Sequence, residues 1–207
     1  MRTPGEIALY PRKVAIVGSR DTPVNVLLVI TRLAKVLCDD RWLIQSGEAD
    51  GADNAAHIGA RQSDRYREVG FAGFLPFDRM RTNRGVIFAS DTDGIYDASK
   101  FDTWEQAQAI AMVARGSFHG LGRGGIALHT RNAFQILSPS LSNPVARCIC
   151  WAVPVGDGKK VRGGTNTAVQ ISQTNAIPVV NLYYDEVLQR VLSFVQAREA
   201  MVASDPQ

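Results

Sequence analysis

Long apolar runs are missing from this chain. No stretch approaches the roughly 18 apolar residues that read as a membrane span, and the N-terminal MRTPGEIALYPRK carries no apolar signal-peptide core. Neither a membrane partner nor a secretory signal is expected, and the cytoplasm is the expected compartment. Cysteine is scarce: Cys38, Cys148 and Cys150 are an odd number. Cys148 and Cys150 alternate with apolar residues in ARCICWAV, so they should share one face of a buried strand. With no second ligand cluster, buried thiols are expected and no metal site. Charge of one sign is limited as well. A net charge of +3 permits an anionic ligand without giving the clustered excess of a nucleic-acid groove. A G-x-x-x-x-G-K-[ST] loop and a Ser/His/Asp elbow are both absent, which argues against ATPase chemistry. Internal repeats and low-complexity segments are absent too.

What is present suits one domain over residues 1–207, with 45% hydrophobic and 21% charged residues. VAIVG at 14–18 is a short β-branched run that ends in Gly18 and Ser19, as a strand buried on both faces would. Pro23 then opens a helical pattern that reaches about Asp39. RWLIQSG at 41–47 reads as a strand, DGADNAAHIGARQ at 50–62 as a helix, and VGFAGFLPF at 69–77 as a strand. Residues 76–102 show no clear period, hold Arg79, Arg81 and Arg84, and read as a loop or insertion. Helices are expected at 103–116, with Thr103 as its cap, and from about Ile126. A strand at 145–155, a surface loop at 156–164, a helix at 165–175 and a strand at 177–182 follow. A closing amphipathic helix at 184–201 precedes a tail expected to fray. This alternation predicts an α/β fold: a doubly wound, mostly parallel sheet with helices on both faces. Ligands bind such sheets beyond the carboxyl ends of the strands, where the winding reverses.

Two glycine turns should lie on that edge. Gly18, Ser19 and Arg20 follow the first strand, and Gly163, Gly164 and Thr165 open a late helix. Each can cradle a phosphate through backbone N–H groups and a helix N-terminus; each can also be an ordinary strand-to-helix turn, with Thr165 or Thr167 as a cap.

The sequence GSR, then SGEADGADNAAHIGA, then GGTNTAV followed by IPVVNL, resembles the SLOG superfamily of Rossmann-like nucleotide-binding proteins. That group joins the DprA/Smf proteins, the Lonely Guy nucleotide hydrolases and the YspA-type proteins. Ser46, Gly47, Ala49, Gly51, Asp53, Ala56 and His57 match the DprA block. Arg131 and Asn132, followed by a tryptophan-ending strand and GGT, are similar to the YspA branch of stand-alone bacterial and bacteriophage members. The likeness spans roughly 13–62 and 129–182, while 76–125 matches no member. It implies a nucleotide ligand and a dimer formed through helices, with the apolar face of 103–115 or 184–200 between subunits. No cofactor is implied. The Lonely Guy glutamate falls on Ala168, so the resemblance does not carry that hydrolase activity over, and whether the chain is an enzyme stays open.

The candidate ligand-binding residues are Gly18, Ser19, Arg20, Ser46, Gly47, Glu48, Asp53, Arg131, Asn132, Gly163, Gly164, Thr165 and Thr167. Asp53 and His57 lie four apart on one helix face and can bond each other. Glu48, in the loop after the second strand, is expected to face the cleft. With Asp53 it is the candidate catalytic carboxylate replacing the missing glutamate. Arg131 can clamp a phosphate and Asn132 can read a base edge or ribose hydroxyl; a salt bridge and a local side-chain bond are the alternatives. His119 can reach a ligand or be simply exposed, Lys159, Lys160 and Arg162 can touch a polyanion or form a solvated loop, and Trp151 can stack on a base or belong to the core. Three functions stay open: binding a nucleoside phosphate or ADP-ribose-like signal for sensing or sequestration, binding single-stranded DNA in the manner of DprA, and nucleotide N-glycosidase chemistry.

Overall fold

A computed structural model describes residues 2–81, 87–90 and 92–204. Arg84 and the last three residues of the tail lie outside the described residues. The helices are α1 (Pro4–Leu9), α2 (Val24–Asp39), α3 (Ala52–Arg61), α4 (Tyr66–Val69), α5 (Trp104–Arg115), α6 (Arg123–Leu137), α7 (Thr165–Thr174) and α8 (Asp185–Ser204). The strands are β1 (Lys13–Gly18), β2 (Leu43–Ser46), β3 (Phe71–Leu75), β4 (Met80–Arg81), β5 (Ile87–Phe88), β6 (Ile95–Asp97), β7 (Cys148–Trp151), β8 (Pro154–Val155), β9 (Lys160–Val161) and β10 (Val179–Asn181).

Six strands form one parallel sheet in the order β10-β7-β1-β2-β3-β6. Winding runs outward from β1 through β2 and β3 to β6, then returns to β7 and β10 on the other side. The reversal therefore falls between β1 and β7, where Gly18 pairs with Trp151. The continuous apolar character of β1 follows from double coverage. Val14 and Ile16 pack toward α2, α3 and α8, whereas Ala15 and Val17 pack toward α5, α6 and α7. Cys148 and Cys150 share the second of these faces, fully buried and free.

Several elements differ from the sequence expectation. The segment read as a loop at 76–102 contains the edge strand β6 and the antiparallel ribbon β4–β5. The surface loop before α7 folds partly as the β8–β9 ribbon. Ahead of β1, α1 is fixed by a capping box: Glu6 N–H donates to Thr3 Oγ1 at 3.2 Å, and Thr3 N–H donates to Glu6 Oε2 at 2.6 Å. The Thr103 hydroxyl does not cap α5 but donates to the Pro139 carbonyl. No helix among the described residues is long and apolar enough to cross a membrane.

Candidate functional site

At the β1–β7 reversal a cleft of about 700 Å³ opens on the carboxyl edge of the sheet. Its wall is built from the turn after β1, the N-terminal end of α3, the Phe77–Arg81 segment, one side of α6 and the turn leading into α7. Gly125, Leu128, His129 and Asn132 come from α6 at i, i+3, i+4 and i+7, a single stripe of that helix. Of the candidate residues, Gly18, Ser19, Arg20, Asp53, Arg131, Asn132, Gly163, Gly164 and Thr165 line the cleft. Ser46, Gly47, Glu48 and Thr167 do not.

The first glycine turn is not an open phosphate cradle. Gly18 N–H donates to Asp53 Oδ1 at 3.1 Å, and Ser19 N–H donates to the Trp151 carbonyl at 3.0 Å. The Ser19 hydroxyl accepts from Asp21 N–H, tightening the turn. Gly18 is required for another reason: a Cβ there would stand 2.7 Å from Ala52 Cβ and 3.0 Å from the Trp151 carbonyl oxygen. Close approach of α3 to the β1–β7 edge therefore accounts for the glycine. The exposed Arg20 side chain remains for a ligand.

Asp53 does not bond His57. Its Oδ2 faces Arg131 Nη1 at 3.3 Å and accepts from Ala49 N–H at 3.4 Å. Both members of this ion pair are buried. Enclosure raises the Asp53 carboxyl above its ordinary value, with the Arg131 guanidinium and the backbone N–H donors pulling the other way. Gly47 supplies the room for Arg131, since a Cβ there would fall 0.9 Å from Nη1. With its amide turned to satisfy its neighbours, Gln135 accepts from Arg131 Nη1 at 2.6 Å and from Gly47 N–H at 2.8 Å. In the same orientation it donates to Asn132 Oδ1 at 2.8 Å. Asn132 Nδ2 in turn donates to the Gly164 carbonyl at 3.1 Å. The Arg-Asn pair of α6 thus ties the SGEADGAD block to the second glycine turn.

Glu48 is likewise not a cleft residue. It adopts a left-handed φ of 56° and is fully buried, with Oε2 at 2.9 Å from His57 Nδ1. The His57 ring stacks on Phe71 at 4.5 Å. Burial raises the Glu48 carboxyl, while the bond to His57 works against that shift. Glu48 Oε1, His57 Nε2 and Arg131 Nε are buried without a hydrogen-bond partner among the described residues. Ser46 is buried too, its hydroxyl donating to the Ile16 carbonyl at 2.6 Å.

The second turn is the more open one. Gly163 needs its positive φ of 75°, but Gly164 has an ordinary φ of −64° and free space where a Cβ would stand. No side chain caps α7, and its first turn holds no acidic residue. Thr167 is fully buried and meets His129 Nδ1 at 2.7 Å through Oγ1. His119 is exposed and away from the cleft, and Trp151 is core, tilted against Tyr183. Sequence reasoning missed His129, Gln135 and Phe77. The stripe on α6 was the available signal for the first two.

The family model for DNA recombination-mediator protein A matches residues 3–74, which run from α1 through β1, α2, β2, α3 and α4 into β3. No curated protein matches the chain. Among solved structures, DNA processing protein A from Helicobacter pylori, studied for its single-stranded DNA binding mode, superposes with a TM-score of 0.52 at 16% identity. The match covers 92% of this chain and 81% of that one. The Moco carrier protein of Chlamydomonas rheinhardtii gives a TM-score of 0.48 at 18% identity, covering 93% of this chain and 98% of that one. The sheet order and the likeness to DNA processing protein A show a Rossmann-type α/β fold, in which the N-terminal unit over residues 3–74 is similar to the DNA recombination-mediator protein A family.

Proposed function

We propose that the cleft binds a nucleotide-derived anion, a nucleoside phosphate or an ADP-ribose-like molecule, for sensing or sequestration. One observation carries this reading. Arg20, Arg81 and Arg162 come from three separate segments, expose their side chains and line the same cleft. None of the three has an ion-pair partner among the described residues. Beside them lies the N-terminus of α7, the positive end of its dipole, with no side-chain cap. Its Asn166 and Thr167 N–H groups, however, donate to the Gly163 and Gly164 carbonyls. Phe77, 43% exposed on the same wall, offers an aromatic face to a base. The test is thermal unfolding against nucleoside phosphates and ADP-ribose. A ligand at 100 times its Kd adds about 2.7 kcal/mol of stability. The Arg20→Ala/Arg162→Ala double variant should lose most of that shift. Binding by this variant as tight as wild type would sink the assignment.

A second reading, single-stranded DNA in the same cleft, is favoured by the DNA recombination-mediator family model and the likeness to DNA processing protein A. Binding to an oligonucleotide would then weaken with salt by a slope of about 0.7 per phosphate contacted. An oligonucleotide that binds no better than a mononucleotide rejects it. The geometry gives less support to base release by Glu48 or Asp53. The first is out of reach of the cleft, and the second is held by Arg131, Gly18 and Ala49.

A further inference from the structure

His129 stands on the cleft-facing stripe of α6, half-buried, with its two ring nitrogens in different surroundings. Nδ1 is anchored at 2.7 Å to Thr167 Oγ1, a fully buried hydroxyl behind the cleft wall. Nε2 has no partner among the described residues and is not among the enclosed atoms. A hydroxyl both donates and accepts, so Thr167 can hold the ring whether Nδ1 carries a proton or not. A carboxylate in that place would instead have favoured the charged ring permanently.

Two arginines act on the ring, one of them paired with the Asp53 carboxylate. Arg115 faces it from α5 and Arg131 from α6, while α7 contributes Thr165 and Thr167 and carries no ionisable residue. The Phe118 ring lies 6.3 Å away. Burial, then the two arginines, hold His129 below its ordinary value and so favour the neutral ring. An anion seated between Arg162 and the first turn of α7 supplies an opposite charge.

We propose that His129 is a ligand-contacting residue that takes up one proton from solvent as the anion binds. The imidazolium then donates from Nε2 to an oxygen of the bound group and from Nδ1 to Thr167. This rests on the cleft being the anion site, and it adds what that reading leaves open: a proton-linked subsite for a phosphate or phosphate-like group. Linkage makes the effect reciprocal. Affinity rises as pH falls, and the His129 pKa rises on binding by the logarithm of the same factor.

The experiment follows the histidine ring resonances by NMR between about pH 5 and 8, with and without sulfate. Sulfate keeps its charge across that range, whereas a phosphate monoester titrates near pH 6. The His129→Gln variant assigns the signal, and His119→Gln, at an exposed position away from the cleft, is the control. The expected result is a rise of about one unit in the His129 pKa at saturation, with sulfate bound about tenfold more tightly at low pH. His129→Gln should remove that pH dependence, and Thr167→Val should reduce it by taking away the Nδ1 partner. Sulfate binding that is independent of pH, with an unmoved His129 pKa, overturns the proton linkage and leaves the cleft reading standing. Failure of both sulfate and nucleotides to bind at any pH overturns both.

Discussion

Arg131 Nη1 lies 3.3 Å from Asp53 Oδ2, an ion pair between residues 78 apart in sequence that closes the floor of the cleft. The contact joins α6 to the start of α3 across the carboxyl edge of the sheet. Because Asp53 also accepts from Gly18 N–H, one carboxylate sets the relation between three elements. Removing the arginine leaves a carboxylate enclosed without its counter-charge. Arg131→Met should therefore cost about 3–5 kcal/mol. Urea unfolding would show this as a lower midpoint with an unchanged slope.

The glycines divide into those that give room and those that do not. Gly47→Ala would drive a methyl group into the Arg131 guanidinium and should cost about 3 kcal/mol. Gly164→Ala meets nothing within 4 Å and keeps an allowed φ, so its stability should stay within about 0.5 kcal/mol of wild type. Comparing the two variants by chemical denaturation separates a steric glycine from a dispensable one.

Exposed arginines of the cleft should matter for binding and not for folding. Arg20→Ala, Arg81→Ala and Arg162→Ala should each change stability by less than about 0.5 kcal/mol. Each should weaken binding of the anion about tenfold, or 1.4 kcal/mol. Calorimetric titration of each variant with the ligand found by thermal unfolding checks both halves.

Alkaline pH offers a separate test of the N-terminal packing. Lys13 is buried, with Nζ donating to the Ala8 carbonyl at 2.7 Å, and burial lowers its pKa from 10.5 to about 8. Between those values the unfolded chain binds the proton that the folded chain has released, so stability rises with pH across about 8 to 10.5. Tyr66 and Tyr96, pushed up to about 12 by burial, act with the opposite sign above pH 10, where only the unfolded chain loses their protons. Lys13→Met should abolish the rise while keeping the fall. Denaturation midpoints measured at half-unit pH steps would reveal both limbs.

Much of the fold is legible along the chain because its signals are local. The β-branched run of β1, the proline opening α2 and the helical spacing of α3, α5 and α7 each report a period within a dozen residues. β6 escaped because three residues, Ile95–Asp97, carry no period of their own inside a polar segment. The ribbon strands on either side are shorter still.

The candidate site was legible as a location and not as a set of roles. Residue order alone determined that two glycine turns and the SGEADGAD block meet at the winding reversal of a parallel sheet. Only the tertiary structure decided which donors stay free there. Asp53 and Trp151, from distant segments, occupy the N–H groups of Gly18 and Ser19, and His57 turns from Asp53 to Glu48. A sequence pattern fixes where a backbone donor stands, but its availability depends on which remote group reaches it first. That competition is settled by packing across the sheet, where burying a carboxylate or a guanidinium without a partner costs more than leaving a surface arginine exposed to water.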